Sequence, residues 1–182
     1  MAVQIKRHTI EEFDTWVALP ENAERLFEFV GGEIVEVPSN PYSSYVSSRI
    51  IRRMGAFVED HDLGYVTGKA GGYMVLGERY APDVAYISRE RQPELPEEGY
   101  NPNPPDLAVE VVSPSDDLKR LQIKVVNYLA AGTVVWVVYS ETREVEIYAP
   151  GKAVKIVDIN GVLDGGDVLP GFTLPVKEIF PE

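Results

Sequence analysis

The chain has 182 residues, 45% of them hydrophobic and 25% charged, which suits one globular domain over 1–182 and excludes a disordered polymer. It has no cysteine, which excludes a disulfide framework, a cysteine nucleophile and thiolate metal sites. Acidic residues outnumber basic ones by 29 to 17, a net charge of −12, so any nucleic-acid function needs a named local source of positive charge.

In chain order, the opening segment MAVQIKRHTIEEF lacks the apolar core of a secretory signal. No apolar run approaches the ~20 residues that span a bilayer. The expectation is a cytoplasmic protein without a membrane partner. Thr9 and Glu12 have capping-box spacing, predicting a helix to about residue 19, with Pro20 as its stop. Stretches 25–30 and 33–37 read as strands joined by Gly31-Gly32, a favoured hairpin turn. After Pro41, Val46, Ile50, Met54 and Phe57/Val58 recur at helical spacing and predict a helix over 42–59.

Strands are predicted at 64–67, 72–76 and 80–88. Residues 89–105 hold five of the 14 prolines and a cluster of glutamates, which reads as a long loop of the functional or mobile kind. Residues 106–113 (DLAVEVVS) form a strong strand pattern, 116–131 a helix with Gly132 just past its end, and 133–140 (TVVWVVYS) a strand buried on both faces. Shorter strands at 143–148, 154–159 and in the tail complete the chain. The middle therefore reads helix, three strands, helix, strand. Strand 106–113, helix and strand 133–140 can form a right-handed crossover, giving an α/β (α+β) fold with a mixed sheet flanked by helices.

Two carboxylates break the apolar pattern. Glu110 is the lone charge in the interior of its strand, and Asp83 is the lone charge on the face it shares with Ala81, Ala85 and Ile87. A buried, unpaired carboxylate costs several kcal/mol, so each needs a partner. A shared divalent cation is one such partner; solvent at an edge strand, or an arginine, is the other. Lys124 is the third residue of interest. The strand advances about 13 Å from Glu110 to Pro114, and the helix returns about 12 Å from Asp116 to Lys124. Lys124 therefore comes back level with Glu110, at the margin of a stripe formed by Leu118, Leu121, Val125 and Tyr128/Leu129. A lysine in that position also fits a solvated surface residue.

Pro82-Asp83, Glu110 in its strand, Ser113-Pro114-Ser115, and Lys124-x-x-x-Tyr128 before Gly132 together resemble the "putative restriction endonuclease" family. This family is abundant in cyanobacteria and some thermophiles, was long classed as a domain of unknown function, and belongs to the PD-(D/E)-x-K nuclease superfamily. The hairpin RLFEFVGGE (25–33) resembles its "yElidGe" signature, and the tail LPGFTLPVKEIF (169–180) is similar to the family's. The resemblance spans nearly the whole chain. It implies a restriction-endonuclease-like αβββαβ core with an N-terminal hairpin and C-terminal strands. It further implies that Asp83 and Glu110 hold Mg²⁺ or Mn²⁺, that Lys124 orients water or offsets charge, and that Glu28 is an auxiliary acid. Two departures stand out. Val112 occupies the place where the superfamily's lysine usually stands, which suggests that Lys124 has taken over from the helix. Many relatives also carry a histidine near the start of the helix after Pro41, where this chain has Tyr42, Ser43, Ser44 and Tyr45.

His8 and His61 show no ligand spacing and read as surface residues. Gly68-Lys-Ala-Gly-Gly72 lacks the context of a phosphate loop and reads as a β-turn, though Lys69 can still reach a backbone phosphate. No Gly-x-Ser-x-Gly is present. Arg49, Arg52 and Arg53 on one helix and Lys119, Arg120 and Lys124 on another are the candidates for a basic strip; ordinary solvated faces are the other reading. The leading expectation is a metal-dependent endonuclease acting on DNA, as a homodimer. The alternatives are a catalytically silent nuclease fold serving as a DNA- or protein-interaction module, and a β-rich binding domain in which Asp83 and Glu110 lie far apart.

Overall fold

The computed structural model describes residues 7–38 and 40–182; residues 1–6, part of the segment read for a signal sequence, lie outside them. Among the described residues, no helix is long and apolar enough to cross a membrane. The chain runs α1 (Ile10–Val17), β1 (Phe27–Val30), β2 (Glu33–Glu36), α2 (Pro41–Asp60), β3 (Gly64–Gly68), β4 (Tyr73–Val75), β5 (Glu78–Tyr80), β6 (Val84–Ser88), β7 (Leu107–Val112), α3 (Leu118–Ala130), β8 (Val134–Tyr139), β9 (Glu144–Tyr148), β10 (Lys155–Val157), β11 (Val162–Asp164) and β12 (Thr173–Pro175). A six-stranded sheet has the order β10-β9-β8-β7-β6-β3, and a four-stranded sheet the order β2-β1-β5-β4. In the larger sheet β7 and β8 are parallel, joined across α3, while β6 and β9 flank them antiparallel. The sheet is thus mixed, as the crossover pattern predicts.

Local chemistry sets the helix ends. Thr9 and Glu12 form the predicted capping box, each side chain accepting the other's backbone N–H. The Asn40 side chain caps α2 by accepting the Ser43 N–H, and the Asp117 side chain caps α3 by accepting those of Lys119 and Arg120. At the far end of α3, Thr133 N–H returns to the Tyr128 carbonyl and Gly132 N–H to that of Leu129. Gly132 permits this closure with a φ of 82°, where a side chain is strained.

Strand alternation divides the core. Leu107, Val109, Val111, Trp136 and Val138 meet Val46, Ile50, Met54 and Val58 of α2. Ala85, Ile87, Ala108, Val135 and Val137 meet Val125 and Tyr128 of α3. Each fully buried valine contributes about 1.5–3 kcal/mol, so both layers are strongly held. Glu110 and Asp83 belong to the α3 side.

The predicted strand over 80–88 is two strands. β5 pairs with β1 and β4 in the smaller sheet, and the chain crosses at residues 81–83 to start β6 in the larger one. Pro82 has no N–H to continue a ladder, and the Asp83 carboxylate takes the Val111 N–H that a further β6 residue would face. With β4 and β5 diverted, β3, β6 and β7 remain between α2 and α3, which is the αβββαβ order. The long loop is strapped down: Tyr100 donates its hydroxyl to the Phe27 carbonyl, Asn101 exchanges backbone bonds with Gly72 and Met74, and Arg91 holds the carbonyls of Pro104 and Pro105.

Gly132→Ala is expected to cost about 1 kcal/mol at this helix end and to lower Tm by roughly 2–4 °C. Calorimetry showing no loss contradicts the role given to the positive φ.

Candidate functional site

Three elements converge on one cleft. On β1, Phe27 and Phe29 pack with Phe13 of α1, which turns Glu28 the other way, towards α3. On β7, Val109 and Val111 face α2 and leave Glu110 facing α3. On α3, Lys124 lies one turn before Tyr128 and rises between the two sheets. Glu28, Asp83, Glu110 and Lys124 are all buried and line a cleft of about 370 Å³.

Lys124 Nζ lies 2.8 Å from Glu28 Oε1, to which it donates, and 2.7 Å from Glu110 Oε1. The rise arithmetic therefore holds. Ala81 N–H also donates to Glu28 Oε1, at 2.7 Å, and the Tyr128 hydroxyl donates to Glu110 Oε1, at 3.2 Å. The Oε2 atoms of both glutamates accept no hydrogen bond among the described residues. Asp83 Oδ2 accepts the Val111 N–H at 2.7 Å, which fixes it beside Glu110, and Oδ1 lies 3.4 Å from Lys69 Nζ. Asp83, just before β6, and Glu110 on β7 therefore sit side by side, against the reading that holds them far apart.

Three carboxylates face two ammonium groups here, a surplus of one negative charge. Burial pushes the Glu110 carboxyl up to about 7; Lys124 pulls it back, and Glu28 and Asp83 push it further. Burial disfavours the Lys124 ammonium, yet Glu110 and Glu28 outweigh this and hold its pKa above the usual lysine range. Burial, followed by the Glu110 charge, keeps the Tyr128 phenol protonated. Among the described residues, no three acids or histidines stand ready as a complete metal-ligand set.

The predicted basic residues do not assemble into one strip. Lys69 and Arg120 line the cleft, each held by acids: Lys69 by Asp83, and Arg120 by Glu33 and Asp117. Lys69 also donates to the Pro38 carbonyl. Its segment is the predicted β-turn, closed by Gly71 N–H to the Gly68 carbonyl. Lys119 is exposed and outside the cleft lining. Arg49, Arg52 and Arg53 also lie outside it, because α2 covers the opposite face of the sheet and only Asn40 and Ser43, at its start, reach the cleft. Arg49 donates to the Glu178 carbonyl and Arg53 pairs with the Glu178 carboxylate. Neither histidine lines the cleft: His8 faces Glu12, and His61 caps the end of α2 through the Phe57 carbonyl.

Sequence reasoning missed the brace behind the site. Glu78 accepts the Gly31 N–H on both oxygens, at 2.8 and 2.9 Å, and also the Tyr80 hydroxyl. Asn127 donates to that same hydroxyl. Tyr80 sets its ring against Tyr128, with centroids 5.2 Å apart, and under Lys124 Nζ at 5.6 Å. Glu78 carries no local signal, since Gly31 is 47 residues away. The Lys124–Tyr128 spacing is part of the family resemblance, while Tyr128 itself reads from the sequence as part of the apolar stripe.

The sequence pattern of the family described as "Uma2: Putative restriction endonuclease" matches residues 10–177. The chain belongs to this family. A solved structure described as "a putative nuclease belonging to DUF820 from Anabaena variabilis ATCC 29413" has the same fold, with a TM-score of 0.81 at 20% identity over 94% of this chain and 97% of that one. No protein among the curated ones matches. The restriction-endonuclease-like α/β fold is thereby shown for this member of the family.

The Glu110 carboxyl keeps its proton up to about 7 when folded and to about 4.5 when unfolded. Its contribution to stability is whole below the lower value and is lost as pH rises through the upper one. In urea unfolding, Glu110→Gln is expected to gain on the wild type across that window. A difference that stays level contradicts the assignment.

Proposed function

We propose that this cleft hydrolyses phosphodiester bonds of DNA as a metal-dependent endonuclease, with the chain acting as one nuclease domain. The observation that carries the reading is the 2.7 Å approach of Lys124 to Glu110 beside Asp83, which supplies from α3 the amine missing at Val112. Family membership supports the reaction class.

The donor set fits a hard divalent cation. Asp83 and Glu110 offer carboxylate oxygens side by side, Glu110 Oε2 accepts no hydrogen bond among the described residues, and the cluster carries surplus negative charge. An incomplete protein shell suits Mg²⁺ or Mn²⁺, because magnesium keeps several waters. Asp83 and Glu110 would hold it, with Glu28 an auxiliary acid. When bound, the metal supplies charge stabilisation at the phosphoryl oxygens and a lowered pKa for water. Lys124 orients the attacking water and offsets charge on the phosphate. Glu28 holds Lys124 in place through Oε1. Lys69 and Arg120, the other cations lining the cleft, exchange their carboxylate partners for backbone phosphates. Cutting both strands of a duplex takes two such clefts, so the reading includes a homodimer, located in the cytoplasm.

One observation favours a second reading, a catalytically silent interaction module: Lys124 already satisfies Glu28 and Glu110 without a metal. Supercoiled plasmid with Mg²⁺ or Mn²⁺ separates the two. The wild type is expected to nick or linearise it, and Glu110→Ala and Lys124→Ala to slow cleavage by about 100-fold or more. A folded wild type that leaves plasmid intact under both metals favours the silent module. Arg120→Ala and Lys69→Ala are expected to weaken DNA binding and to flatten its dependence on salt, by roughly one unit of log–log slope per lost phosphate contact. Filter binding across a salt series reads this directly; an unchanged slope removes both residues from the DNA path.

A further inference from the structure

Tyr128 has no part in the mechanism above, yet its placement is unusually constrained. Its backbone carbonyl is tied into the helix end by Thr133 and Ala131. Its ring meets Tyr80 edge-on, at 5.2 Å and 64°. Tyr80 is held in turn by Asn127 from α3 and by Glu78, which also clamps the Gly31 turn of the hairpin that carries Glu28. The residue is fully buried, so its hydroxyl has no water to turn to. That hydroxyl points to one atom, Glu110 Oε1, the atom that Lys124 also approaches.

We infer that Tyr128 is a positioning residue that reserves Glu110 Oε1 for the protein and thereby presents Oε2 to the metal. The inference rests on the nuclease reading for what the metal does. A carboxylate held through one oxygen by two donors cannot rotate to present both oxygens to the same ion. Glu110 would then hold the metal through Oε2, with Oε1 kept by Tyr128 and Lys124. Without the hydroxyl, Lys124 alone leaves the carboxylate free to pivot. Asp83 Oδ2 is likewise occupied, by the Val111 N–H, while Oδ1 faces Lys69 Nζ at 3.4 Å.

The test is Tyr128→Phe, which keeps the ring and its contact with Tyr80. Mn²⁺ binding is measured by calorimetry on wild type, Tyr128→Phe and Glu110→Ala, beside plasmid cleavage by each. Loss of one hydrogen bond to a charged group predicts Mn²⁺ affinity lower by about tenfold and cleavage slower by a similar factor. The KM for DNA is expected to stay within about twofold, since the hydroxyl touches no substrate path. Tyr128→Phe with wild-type Mn²⁺ affinity overturns the positioning role, whether or not cleavage slows, because a merely structural role moves stability and rate but leaves that affinity alone. A wild type that binds Mn²⁺ no tighter than Glu110→Ala and cuts nothing overturns the nuclease reading and the positioning role together. A wild type that cuts, beside an unaltered Tyr128→Phe, overturns the positioning role alone.

Discussion

The ammonium of Lys124, shared between two buried carboxylates, joins the parts of this molecule. Glu28 comes from the smaller sheet, Glu110 from the larger one and Lys124 from the crossover helix, and the amine reaches both acids within 2.8 Å. Each ion has left water at a cost of several kcal/mol, recovered only while the others remain in place. Removing one partner from such a cluster costs about 3–5 kcal/mol, more than most single packing contacts. The relative placement of the two sheets is thus tied to the chemistry of the cleft.

That cluster is also electrically incomplete. Three carboxylates against two ammonium groups leave one negative charge in excess, and burial makes the excess expensive, which is why the Glu110 carboxyl rises to about 7. In the proposed nuclease reading, a divalent cation relieves this excess and supplies the positive field that a chain of net charge −12 otherwise lacks for a phosphate backbone. The cations around the cleft are spoken for, Lys69 by Asp83 and Arg120 by Glu33, so binding of a polyanion is an exchange of partners.

The approach of Lys124 to Glu110 from the helix has a structural basis. At position 112 a side chain projects from the same strand as Glu110. At position 124 it projects from α3, whose first turn is set by the Asp117 cap and by the Ser113–Asp116 bonds that close the preceding turn. The glycine closure after Ala131 sets the other end. With both ends fixed, Lys124 and Tyr128 meet Glu110 on the same face of the helix. The hairpin brace through Glu78, Tyr80 and Asn127 ties α3 to the turn that follows β1.

Much of this was legible in the sequence, because the features concerned are periodic or local. Alternation in DLAVEVVS isolates Glu110, the capping box starts α1, the glycine ends α3, and simple rise per residue brings Lys124 back to Glu110. The split of residues 80–88 into two sheets was not legible: alternation continues across Pro82, and the break needs, besides the missing Pro82 N–H, the capture of the Val111 N–H by Asp83. The arginines of α2 show the same limit. Their spacing puts them on a helix, but which face of the sheet that helix covers depends on packing against Trp136, Val138 and the C-terminal segment. Sequence by itself thus determined the elements, the acids that needed partners and the lysine able to reach them, since these follow from dihedral periodicity and the cost of burying charge. Tertiary structure alone decided which oxygen each donor takes, which cations reach the cleft and how Glu78 braces Gly31, since these depend on contacts between residues far apart in the chain.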